Sequence, residues 1–175
     1  MKNRFILTSV LSAFALTGVA NAQTGSGTLG VTATVQGSIN LTFVTDANGM
    51  AVTGTATSTA SLPFGNVSMY SGSLPANVTK TIGATSFDLS TPFDVRVDLA
   101  NSASTTYTLT ATLAAVDATN KWFLGAIDMS AAAPHALTAA GEFGTSVPYT
   151  LKLTVPASAT AGSISNTINF SAVGG

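Results

Sequence analysis

His135 is the single histidine of the chain, and imidazole is the side chain best suited to acid–base or metal chemistry near neutral pH. It follows Pro134 with no second histidine and no cysteine near it in sequence. Asp128 and Glu142 could orient it only if the intervening segment folds back on itself, so it reads as a plain surface histidine. Asp94 and Asp98 are the nearest thing to a carboxylate pair. On a strand they share one face with Arg96 between them, and residues four apart stand about 13 Å from each other. A glycosidase pair needs roughly 5 to 9.5 Å, and Arg96 is expected to hold both carboxylates ionised. Asp46, Ala47, Asn48 and Gly49 carry a trace of calcium-loop chemistry without the remaining oxygen ligands, and read as a turn. Trp122, the only tryptophan, could stack on a sugar ring if it faces solvent, which would make the chain a carbohydrate-binding module. The stronger expectation places it in the core. The sequence offers no phosphate-cradling glycine loop and no nucleophile elbow. With no cysteine it also excludes thiolate catalysis and thiolate metal sites. No catalytic, cofactor-binding or metal-binding set is expected, and the chain is not read as an enzyme.

The elements that would carry these residues repeat with a period of two. Leu29, Val31, Ala33 and Val35 alternate with small or polar residues, as do Ile39, Leu41 and Phe43. The same holds for Phe93, Val95, Val97 and Leu99, for Tyr107, Leu109, Ala111 and Leu113, for Leu151, Leu153 and Val155, and for Ile164, Ile168 and Phe170. Such alternation predicts strands with one dry and one wet face. Turn chemistry separates them: a hairpin loop at 46–49 with Gly49 at positive φ, and breaks at 90–92, 101–104 and 156–162. Residues 126–144, rich in alanine but interrupted by Pro134, are expected to form a long loop with at most one helical turn. Short strands divided by turns predict an all-β, antiparallel β-sandwich, with a β-barrel as the alternative.

The ends and the charge balance bound the function. Lys2 and Arg4 precede an apolar run from Phe5 to Val19 that closes on Ala20, Asn21 and Ala22, the layout of a secretory signal peptide over residues 1–22. Residues 23–175 then form a single domain, exported through an inner membrane to the periplasm, cell surface or exterior. No second run reaches membrane-spanning length, so the mature chain is not expected to be integral. It keeps four basic residues (Lys80, Arg96, Lys121 and Lys152) against seven acidic ones, a net charge of −3. That balance argues against nucleic acid as a partner. Only 7% of residues are charged, against the usual quarter or so, which leaves little repulsion to oppose self-association.

Three stretches together resemble the secreted fimbrial subunits of Gram-negative bacteria, of the spore-coat-U-like or archaic chaperone–usher type. They are the alternating segment 27–43, the Leu62 to Val67 stretch with its Phe64-Gly65 pair, and the closing run from Tyr149 to Phe170. The chain departs from many such pilins in having no disulfide and in ending five residues beyond Phe170. The resemblance implies an immunoglobulin-like sandwich serving as a structural or adhesive subunit of a pilus or biofilm fibre. It implies assembly by self-association or with a related subunit, and a periplasmic chaperone as a further partner. Residues 23–36 would be an N-terminal donor strand, with Leu29, Val31, Ala33 and Val35 entering a neighbour's groove. The same segment also reads as the first strand of a complete sandwich. A polysaccharide is the partner implied by the Trp122 alternative.

Overall fold

Alternation of this kind can form a sheet only where each strand finds a partner, and the pairing is seen in a computed structural model that describes residues 28–131 and 133–175. The expected signal peptide and the first residues of the candidate donor segment lie outside the described residues. The chain divides into two units, residues 1–34 and 35–175. In the first, residues 28–34 carry no strand and are exposed.

The described residues of the second unit hold nine strands: β1 (Ser38–Val44), β2 (Thr79–Ile82), β3 (Ser86–Ala100), β4 (Tyr107–Leu113), β5 (Lys121–Leu124), β6 (Ile127–Asp128), β7 (His135–Gly141), β8 (Ser146–Pro156) and β9 (Ile168–Gly174). All pairs are antiparallel. One sheet runs β1-β3-β8-β5-β6, with β2 also on β3; the other runs β7-β4-β9. The sheets do not close on each other, so the fold is a sandwich and not a barrel. In an immunoglobulin domain the first sheet is ordered A-B-E-D and the second C-F-G. Here β1-β3-β8-β5 stand as A-B-E-D and β4-β9 as C-F. β7 lies on the far side of β4, and the place of G, outside β9, is unfilled among the described residues.

The dry faces meet in one core. Leu89, Val95 and Val97 of β3 and Leu109 and Ala111 of β4 have no exposed surface. On β8, Leu153 stands opposite Leu89 and Val155 opposite Phe87. Each buried aliphatic side chain of this size contributes about 1.5–3 kcal/mol, the main stabilisation open to a chain without disulfides.

Three local expectations are corrected. The expected break at 90–92 is absent: β3 runs unbroken from Ser86 to Ala100 through Pro92. On its outer edge β2 pairs residues 87–90 and β1 pairs 94–100, so Pro92, which has no N–H to give, falls between two partners. The 46–49 turn fills that gap. Met50 N–H donates to the buried Thr91 Oγ1 at 2.8 Å, and Asn77 Nδ2 donates to the Gly49 carbonyl at 3.0 Å. Gly49 is required there by proximity and not by a positive φ, since a Cβ on it would lie 2.0 Å from the Pro92 carbonyl oxygen. Finally, the described residues of 126–144 contain no helical turn. They hold β6 and β7, and Leu137 packs on the core. Pairing with the edge of β4 overrides the helix preference of alanine.

Gly141, at the end of β7, lies flat against Tyr107, whose ring is 1% exposed and packs on Phe143 with centroids 5.2 Å apart. A Cβ there would come within 2.3–2.7 Å of three ring atoms. The ring is buried and packed on Phe143, so Gly141→Ala is expected to cost about 2 kcal/mol. Urea unfolding should show this as a lower midpoint with an unchanged slope.

Candidate functional site

The inward residues of β1 and β9 come together at the open side of the sandwich. The Phe43 and Phe170 rings meet edge to face at 5.2 Å, and Phe170 also stands 6.1 Å from Phe93. Beside them opens a groove of about 1090 Å³. Its floor is core: Phe87, Phe93, Trp122 and Leu151. Its banks are residues 58–69 and 157–170, of which 58–69 and 157–167 belong to no strand. Gly65, at φ +71°, turns the chain directly after Phe64, so that Phe64 packs against the core cluster.

The two edges of the smaller sheet differ. On β4, β7 pairs with register shifts on either side of Leu109, the irregularity that bends an edge and discourages further pairing. β9 pairs in unbroken register from Leu113↔Ile168 to Tyr107↔Gly174. It carries no charge and no proline, and its outer edge has no partner among the described residues. Such an edge accepts an added strand.

The sequence-predicted residues fall out as follows. Leu29, Val31 and Val35 are 89%, 82% and 72% exposed, Ala33 is exposed, and none of the four lies in a strand. Val35 belongs to the larger unit and the other three to the smaller one. Trp122 is 6% exposed, so its ring is not displayed as a sugar platform. Its indole N–H donates to Asp117 Oδ2 at 3.0 Å. Asp117 also accepts from Thr119 N–H, Asn120 N–H and Asn120 Nδ2. Burial pushes the Asp117 carboxyl up, but these hydrogen bonds outweigh it and hold the pKa at about 2. Asp117 was not singled out from the sequence, and an aspartate five residues before a tryptophan is too ordinary a pattern to have flagged it.

His135 opens β7 and is half-buried, its Nε2 enclosed without a hydrogen-bond partner. Glu142 lies beyond the other end of that strand, roughly 23 Å away at strand rise. The Asp128 carboxylate accepts the Ser130 N–H at 2.9 Å. No group of three or more potential metal ligands occurs among the described residues.

Arg96 does not serve both neighbouring aspartates. Its guanidinium lies 2.9 Å from Asp98, while Asp94 turns to Asp46. Burial, and after it the closeness of the Asp46 carboxyl, raise the Asp94 pKa. Compared with known proteins, the chain matches no family model, no curated protein and no solved structure.

Two tests follow from these carboxylates. A raised folded-state pKa stabilises the fold below the ordinary carboxylate range, and the contribution is lost as pH rises through the raised value. Asp94→Asn should therefore raise the thermal midpoint at pH 7, with the gain vanishing by about pH 3. Asp117 has the opposite sign: its contribution is present above the ordinary range and lost as pH falls towards 2. Asp117→Ala strands the Trp122 and Asn120 donors and should cost about 2–3 kcal/mol near neutrality, read by urea unfolding followed through tryptophan fluorescence.

Proposed function

We propose that this chain is an exported, non-enzymatic structural subunit of a surface fibre, and that copies join when residues 29–35 of one enter the groove of another as a strand beside β9. The observation that carries this reading is the conjunction of a regular, uncharged edge on β9, without a partner among the described residues, with a groove floored by Phe87, Phe93, Trp122 and Leu151 beside its first residues. The exposed Leu29, Val31, Ala33 and Val35 supply what such a groove lacks. An isolated domain so often hides its valines and leucines that an alternating row of them at 72–89% exposure calls for a partner.

The energetics favour a strand over a looser contact. Main-chain hydrogen bonds to β9 satisfy groups that would be costly to leave unpaired once water is displaced from the groove. Burying each of Leu29, Val31 and Val35 adds about 1.5–3 kcal/mol, set against the ordering of the segment. The signal-like N-terminus and the scarcity of charge fit a secreted, self-associating role. A periplasmic chaperone would occupy the same groove before assembly. The burial of Trp122 supports this reading over the carbohydrate-binding alternative.

The test uses mature protein, residues 23–175, beside a form lacking residues 23–36. Light scattering should show oligomers for the first and monomers for the second. A synthetic peptide of residues 27–36 should bind the shortened form one to one and raise its thermal midpoint by several degrees. Val31→Asp in the peptide should abolish both effects. A monomeric mature protein whose shortened form ignores the peptide would overturn the reading.

A further inference from the structure

Strand addition requires only that a segment fit a groove; whether the bodies of successive copies also touch depends on the chain that joins segment to body. That connection is very short. Val35 is the last of the alternating apolar residues, and Gly37 is already seated on the sandwich. A Cβ on Gly37 would lie 3.0 Å from the Asn101 carbonyl oxygen and 3.1 Å from Ser102 Cβ, so the chain is flush with the body at that point. Only Gln36 intervenes, and two residues of extended chain span about 7 Å. A gap of that length cannot hold two layers of side chains with solvent between them.

The ends of the sandwich are fixed by register. Ser38 stands opposite Ala100, and Gly174 lies against Ser104 and Ile39, so one end gathers the start of β1, the turn after β3 and the end of β9. A shallow hollow of about 340 Å³ opens there between Gly37, Ser102, Ser104 and Gly174. The groove banks lie towards the opposite end, where β8 finishes at Pro156 and β9 begins at Ile168. Every strand pair among the described residues is antiparallel. A strand added to β9 in the same sense would leave the groove at that opposite end.

We infer that, in a fibre built by this strand addition, the end bearing Gly37, Ser102, Ser104 and Gly174 seats directly on the segments 58–62 and 157–167 of the next copy. The inference rests on the strand-addition reading. The two surfaces are different patches of one chain, so the contact is heterologous and propagates instead of closing into a pair. Both are small and uncharged: Asn101, Ser102 and Ser104 on one side, Ser58, Thr59 and Ser163 on the other. They can approach to hydrogen-bonding distance without like charges meeting.

The test lengthens the connection without altering the strand or the groove. Four Gly/Ser residues are inserted between Gln36 and Gly37 of the mature chain. The fibres are then compared with those of the native chain by electron microscopy and by urea-driven disassembly. The insertion should leave binding of the 27–36 peptide to the shortened form unaffected. It should shorten the fibre's persistence length several-fold and lower the urea midpoint of disassembly. In a second variant, Ser102→Glu with Ser163→Glu, the two charges lie on opposite ends of one subunit but meet between subunits. It should assemble poorly at low salt and recover at high salt, with an unchanged monomer melting temperature. Peptide binding with unchanged stiffness and midpoint in the insertion variant would overturn the body-to-body contact and leave strand addition standing. Native protein that neither assembles nor binds peptide would overturn both.

Discussion

The pairing of β3 with β8 is the interaction on which everything else rests. It runs without a break from Ser86↔Pro156 to Arg96↔Ser146, and its inward residues form the floor on which the second sheet lies. β1 and β2 add to the outer edge of β3, and β5 adds to that of β8. In a chain with no disulfide and few ion pairs, this long ladder sets the register for all of them. The same two strands supply Phe87, Phe93 and Leu151 to the floor of the groove.

Much of this was legible as alternation. β1, β3, β4, β8 and β9 each carry apolar residues at every second position because each has one face on the core and one towards solvent, and that difference is written directly into residue type. What alternation could not show was pairing. Pro92 reads as a break because proline has no N–H, yet β3 tolerates it where two edge partners leave a gap. The alanine-rich stretch around His135 reads as loop because its residues prefer helix, yet the edge of β4 recruits it as β7. Gly49 is recognisably a turn residue, but only the approach of Pro92 explains why the position excludes a side chain.

The candidate site was less legible than the fold. The residues proposed as donors could be picked out from the sequence, since an alternating segment ahead of the first strand is visible by inspection. The groove that suits them could not, because Phe43, Phe93, Trp122 and Phe170 lie far apart in the chain and are brought together only by the crossing of the two sheets. The polar contacts were hidden for the same reason. Asp94 looks like a partner of Arg96 along one strand, and it is the return of the 46–49 turn that sets it against Asp46. Local spacing is readable from sequence, whereas contacts made across the sandwich are not.

The placement of β1 has a mechanical consequence. In the proposed fibre, tension would enter each subunit at Gly37 and leave through the strand proposed to lie beside β9, near the far end of the sandwich. β1 is paired with β3 along its whole length, from Ser38↔Ala100 to Val44↔Asp94. A pull on Ser38 directed out of that end acts along the strand axis, so the ladder between β1 and β3 is loaded in shear. Its hydrogen bonds then bear the force together instead of parting one after another as in a zipper. A thread of such units can resist being drawn out although no covalent bond joins one to the next.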